Sequence, residues 1–541
     1  MSFAVAGIRD TNRRVALVRK NIYMLLLGCA LGAGSPAKVL CTMQQRVLLG
    51  AGIAVVAVAA FLFFRAGTDH VATQAVDKNI DQIVATLPPG YAVSHGATDA
   101  NPLTGTVTLH DFQVNYGGKL LWSADTLTIS GADQHALSDV FDPAAYPNGH
   151  PAWTQRRLLV GDATANGVHI LAHDNSGESL FIKSITLHQL SGRPFMLPPT
   201  HEHLHEAAMR ADIALAFAFQ NAEQHDVVVS DAPPRHGKVT MADVNLRDYD
   251  GGKIGNASLR DMSLDINASQ PGQAITHGTL DSIEIRNADG TAGLEHQRDS
   301  STVDTSIYGK MSYEFVEMRG MTVNISPGPR ISLQDMQFKY PLAAANGERD
   351  GQGALTNLTV ALKDTKLSPD AAAAIQAFGM NAVTMDLTVK SHGNETDKHA
   401  SVTEDLVMHD LATLHLDADI TGYDQGVGQH NPKAALESTV LNHAAISLQD
   451  HGLVDRIFNA VASRMHTTPA IIRAQLAVPL VTLGLMIPDQ PDATDQISAF
   501  LNHPGTLSVA MTPPANTTIA DIEHAPMQAK AHVLGVKIQA R

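Results

Sequence analysis

The sequence predicts a mainly β protein with minor α: an N-terminal transmembrane helix, an extended curved antiparallel sheet, and a helical segment near the C-terminus. Three observations carry this expectation. Asp outnumbers Glu by 41 to 13 in 541 residues, and Asp favours turns and caps where Glu favours helix interiors. From about residue 91 to 450, apolar residues recur with a period of two between Gly- and Asp-containing breaks. Beyond residue 450 the apolar spacing becomes helical.

Taken in order, residues 1–42 form a leader with a short apolar run, "IYMLLLGCALGAG", and Met43 opens an ordinary cytoplasmic start, "MQQR". Translation is expected to begin at Met43, the alternative being a signal-like or double-spanning leader. Residues 43–66 hold the anchor. Val47 to Phe64 is an uncharged, largely apolar run of 18 residues bracketed by Arg46 and Arg65, about 27 Å as a helix and long enough to span hydrocarbon. Arg9, Arg13, Arg14, Arg19, Lys20, Lys38 and Arg46 crowd the preceding side, so the N-terminus is expected in the cytoplasm and the bulk exported. Residues 67–90 carry Val71, Ala75, Val76, Ile80, Ile83, Val84 and Leu87 on one stripe and predict a juxtamembrane helix stopped by "PPG".

The first β segment is expected over 91–197, a His-rich linker over 198–212 and a second β segment over 213–450. Within them an apolar-x-polar-apolar-x-apolar unit recurs, with the polar or small position at Asp111, Asp243, Asp261, Ser282, Gly320, Asp335 and Asn357. The first apolar residue precedes the second by three, whereas a regular strand keeps one face at offsets of two. Each unit therefore predicts a bulge or sharp bend at its polar residue, turning the strands onto a curved sheet.

Residues 451–503 predict helices. Leu453, Val454, Ile457, Phe458, Val461 and Met465 share helical spacing, and Thr468 caps a second helix with Pro469 at its first position. Ala470 to Ile487 is apolar enough to be weighed as a second span, but Arg473, Gln475 and Pro479 favour a helix packed on the sheet, with a peripheral membrane contact as a further option. Residues 504–541 predict C-terminal strands.

One stretch raises enzyme chemistry. "PPTHEHLHEAAMRAD" contains H-E-x-x-H at His201, Glu202 and His205, the spacing by which zinc hydrolases place two imidazoles and a base on one helical turn. Pro198 and Pro199 leave no room for a helix before His201, and Ala208 and Ala211 stand where a metzincin needs Gly and His. Glu223 is the candidate third ligand, but "DIALAFAFQ" alternates Ile213, Leu215, Phe217 and Phe219 on one face and predicts a strand before it. The expectation is a connector, with His201, His203 and His205 retained as metal-binding or acid-sensing candidates. The chain is expected not to be an enzyme and to need no cofactor; a zinc hydrolase is the alternative.

The net charge of −16 excludes nucleic acid as a natural partner. Full protonation of the 26 histidines would carry it to −16 + 26 = +10, around pH 5 to 6. That reflects either an acidic medium outside the cytoplasm or compositional bias. Cys29 and Cys41 both precede the anchor, so nothing after it can form a disulfide.

The anchor, the long β region with units such as "SLRDMSLDI" and "SLQDMQFKY", and the helical C-terminal segment resemble AsmA-like and related uncharacterised envelope proteins of Gram-negative bacteria. The resemblance implies a long curved sheet and a part in moving or organising lipid between two membranes. The expected protein is thus a single-pass inner-membrane protein, periplasmic in bulk, that binds or conveys lipid or supports envelope assembly. The alternative is a structural protein docking an envelope partner.

Overall fold

The computed structural model describes residues 91–541 except 102, 142–153, 172–178, 196–205, 231–236, 267–274, 300–311, 327, 341–346, 362–378, 395, 424–431, 476–486, 488 and 527–528. The leader, the anchor, the juxtamembrane helix and residues 198–205 of the linker lie outside the described residues. What is described is mainly β, in a large antiparallel sheet with few helices. It divides within one strand into two compact units, the first ending at Met318 and the second starting at Arg319.

The first unit holds β1 (Tyr91–Ser94), β2 (Thr98–Asn101), β3 (Thr106–Tyr116), β4 (Lys119–Ser130), β5 (Arg157–Leu171) and β6 (Ser179–Gly192). It continues through β7 (Phe217–Ser230), β8 (Gly237–Asp250), β9 (Lys253–Ile266), β10 (Ile275–Asp289) and the start of β11 (Phe315–Ser326). From β3 to β10 each strand pairs antiparallel with the next, and β1 and β2 share the outer edge of β3. The core lies against β3–β7, where Leu109, Phe112, Leu127, Ile129, Val168 and Phe217 are at most 1% exposed.

Two seams cross this unit. On β3, Leu109 and Phe112 are both buried although three residues apart, and Asp111 between them has φ 51°. A left-handed residue shifts the side-chain phase by one, so the strand turns while its apolar face stays inward. Positive φ recurs at Gly167 on β5 (61°), Asp226 on β7 (50°) and Asp261 on β9 (49°). The flanking register pairs align these with Asp125, Lys183, Ala242 and Asp281 on the strands between and beside them. A second seam runs through Gly161, Gln189 (φ 51°), Gln220, Asp248 (φ 53°), Gly255 and Asn287 (φ 49°). The seams stay in step, as 248 − 242 = 6 on β8 and 287 − 281 = 6 on β10 show, about 20 Å of strand. At the second seam Gly255 is required: a Cβ there would meet Asp248 Cβ at 2.8 Å.

The expected bends thus fall at Asp111, Asp261, Gly320 (φ 65°) and Asn357 (φ 51°). Asp243, Ser282 and Asp335 depart from the expectation, because their backbones have no positive φ. Asp243 and Ser282 border the first seam beside Asp226 and Asp261, and Asp335 lies on the strand next to Asn357. One left-handed residue per antiparallel pair turns both strands, since the partner follows through the shared register.

Residues 206–216 also differ from the expected linker and from the start of the strand expected after it. Glu206–Ala216 is a helix, α2, preceded by α1 (Gln134–Phe141), and β7 starts only at Phe217. The alternation through Ile213 and Leu215 is short, and the Ala-rich composition favours a helix. Burial follows a helical stripe of Ala211, Asp212, Ala214 and Leu215. Asp212 pairs with Arg193 at 3.0 Å, both largely buried, and Arg156 donates to the terminal carbonyls of Leu215 and Ala216, where cations suit a helix end. The Tyr249 hydroxyl donates to Ala214 O at 2.8 Å, and burial pushes its pKa up.

The second unit contains β12 (Arg330–Lys339), β13 (Glu348–Ala361), β14 (Ala382–Asn394), β15 (His399–Met408), β16 (Ala412–Thr421), β17 (Val440–Asp450), β18 (Thr506–Met511) and β19 (Val536–Ala540). From β12 onward each pairs antiparallel with the next. The expected helices appear; after α3 (Thr291–Asp299) and α4 (Pro432–Glu437) come α5 (Leu453–Arg464), α6 (Pro469–Gln475) and α7 (Ala493–Asn502). The C-terminal strands are β18 and β19, with helices α8 (Ile519–His524) and α9 (Lys530–Leu534) between them in a range where only strands were expected. The reason is local: Thr518 and Asp521 form a capping box, and Gly535 ends α9 in the left-handed conformation. Val454, Phe458, Ala462, Ile472 and Phe500 bind α5, α6 and α7 to the β17–β19 end of the sheet.

Candidate functional site

In the second unit the strands present two unlike faces. On one, β14 contributes Thr388, Lys390 and His392, β15 contributes His399, Thr403 and Asp405, and β16 contributes His415, Asp417 and Asp419. Imidazoles and carboxylates meet across strands throughout this face. His392 Nδ1 lies 2.8 Å from Asp350 Oδ1, His415 Nδ1 2.6 Å from Asp405 Oδ1, and His399 Nε2 2.8 Å from Asp419 Oδ2. His443 stands 3.5 Å from Asp417, which also accepts from Thr403 at 3.3 Å. The His392 and His399 rings are 6.2 Å apart.

The chemistry follows from register. His392 and Asp350 are direct cross-strand partners, as are His415 and Asp405, so their side chains project side by side. The first unit repeats the device at His188–Asp162, His225–Asp243 and His277–Asp265, each 2.6 Å apart and each a direct partner pair. The hydrogen bond its ring donates to Asp350 raises the His392 pKa above its ordinary 6.5. His409, 2.7 Å from Asp386, belongs to a different balance. Burial pulls the Asp386 carboxyl upward but is outweighed by the Asn357 N–H and His409, leaving it below 3.8.

The other face of the same strands is mostly apolar, with Glu404 of β15 set in it opposite Val389 and Leu416. Met385, Leu387 and Val389 on β14 adjoin Leu406 and Met408 on β15, and Leu414, Leu416, Ala418 and Ile420 follow on β16. These strands are central in the sheet, yet none of these side chains is fully buried. In the first unit β9 behaves alike: Leu259, Met262 and Leu264 are all half-buried, whereas β3–β7 are closed.

His201, His203 and His205 lie outside the described residues. Glu223 sits in mid-β7 between Thr186 and Asn245, accepting from Asn221 Nδ2 at 2.7 Å. Among the described residues no group of three or more His, Cys, Asp or Glu is arranged to hold a metal ion. Among them too, no helix is long and apolar enough to cross a membrane. For the proposed second span, Pro469–Gln475 is helical with Ile472 buried, and residues 476–486 lie outside the described part.

The histidine–aspartate pairs were not foreseen. Their partners are far apart in sequence, and the only advance signal was the joint abundance of the two residue types. A family model described as an uncharacterized protein matches residues 405–541, the stretch from Asp405 through the helices to the C-terminus. No curated protein matches the chain.

Proposed function

We propose that the protein is anchored in the bacterial inner membrane by residues 47–64, with the bulk periplasmic, and that its sheet curves around lipid to bind or convey it in the envelope. The observation that carries this reading is the half-open apolar face of β14–β16 in the second unit, with β9 of the first unit half open in its own right. Central strands with alternating apolar side chains normally close over a core. Here Leu264, Leu387, Leu406 and Leu414 remain partly accessible. Full burial of an exposed side chain of this kind yields about 1.5–3 kcal/mol, so covering a half-buried one yields roughly half of that, and acyl chains supply the cover at about 0.8 kcal/mol per CH₂.

The test is lipid content. Full-length protein purified from membranes should retain phospholipid by extraction and mass spectrometry. Leu406→Lys with Leu414→Lys, neighbours in register on the apolar face, should reduce it at least fivefold, and Thr403→Lys on the polar face should not. Absence of lipid in the parent, or equal lipid in all three proteins, would contradict the reading.

A further inference from the structure

Helix α5 is apolar on two sides. Val454, Phe458 and Ala462 pack inward with Ile472 and Phe500. On the outside, Ile457 (41% exposed), Val461 (38%) and Met465 (54%) follow one another at intervals of four, and Ile471 (48%) on α6 is exposed as well. A surface helix ordinarily turns charged residues to water here. The charge around this stripe also departs from the chain's. Between His451 and Gln475 stand Arg456, Arg464 and Arg473 against Asp455 alone, 3 − 1 = +2, in a chain of net −16. Arg473 is engaged with Asp455, the carbonyl of Leu501 and the Phe458 ring, which joins the two helices into one platform.

We propose that the outer face of α5–α6 is a docking surface for an anionic bilayer, with Ile457, Val461, Met465 and Ile471 entering the acyl region and the arginines meeting lipid phosphates. An apolar stripe flanked by positive charge is the pattern of an interfacial helix. The arginines give the acidic chain a local attraction to anionic headgroups and argue for a bilayer over a second copy of the same basic platform. The inference extends the lipid reading above: it places delivery or collection of lipid at the helical end of the second unit.

The test uses full-length protein in phosphatidylcholine nanodiscs, with Cys29→Ser, Cys41→Ser and Val461→Cys, labelled at residue 461 with an environment-sensitive fluorophore. Adding vesicles of phosphatidylcholine with 30% phosphatidylglycerol, a share set by us at about that of a moderately anionic membrane, should shift the emission to the blue. Pure phosphatidylcholine vesicles should bind at least fivefold more weakly. Ile457→Asp with Ile471→Asp should abolish the shift, and Arg456→Glu with Arg464→Glu should weaken it, while extracted lipid per protein stays at the parent level. That last readout separates the two proposals, since lipid held by the sheet is counted without the vesicles. No shift with anionic vesicles would overturn the proposal. So would a shift that grows with protein concentration in their absence, which would assign the face to a second copy or another protein.

Discussion

His392 shows how a single side chain ties the sheet to pH. Its pKa is raised above 6.5 by the hydrogen bond it donates to Asp350, so the folded chain holds this proton to higher pH than the unfolded chain. The stabilisation is fully present below 6.5 and is lost as pH rises through the folded value. Asp386, lowered below 3.8, has the opposite sign: its contribution is present above 3.8 and lost as pH falls through its folded value. In a histidine-selective NMR titration, His392 should have its midpoint above 6.5, and Asp350→Asn should move it down towards 6.5. An unmoved midpoint would remove the pair as the cause. None of this was legible beforehand except as abundance, because Asp350 and His392 are 42 positions apart and only the β13–β14 register brings them together.

At the scale of elements, the seams are the property most directly written in the sequence. The three-residue step from Leu109 to Phe112, or from Leu355 to Leu358, announces a change of phase that a flat strand cannot make. The alternation of left-handed residues between strands was not legible, since Asp243 and Asp261 sit in the same pattern and only pairing decides which takes positive φ. Helix α2 was missed for a related reason: Ile213 and Leu215 mimic a strand over a few residues, while the deciding contacts, Arg193 to Asp212 and Arg156 to the helix end, come from residues just outside β6 and β5. The seam makes a definite prediction. Asp261 has φ 49°, where an L residue costs roughly 1–2 kcal/mol and a β-branched one more. Asp261→Val should lower urea stability by about 2 kcal/mol, whereas Asp261→Gly should stay within about 1 kcal/mol. Equal losses would mean that the Asp side chain, not the backbone, holds the bend.

For the whole molecule, the two units share one construction: long antiparallel strands with a polar His–Asp face or edge and an apolar face that closes at β3–β7 and stays half open at β9 and β14–β16. A chain that only needed stability would close these strands as well. The open stretches are the ground on which lipid is proposed as the occupant, and the strand periodicity made the apolar face readable while its degree of closure depended on the assembled sheet. The most direct measurement places a photoreactive phenylalanine at Leu264, Leu406 or Thr403 in the full-length protein and irradiates native membranes. Lipid adducts at Leu264 and Leu406 with none at Thr403 are the predicted result; no lipid adduct at either leucine, or a protein adduct in its place, would contradict the account.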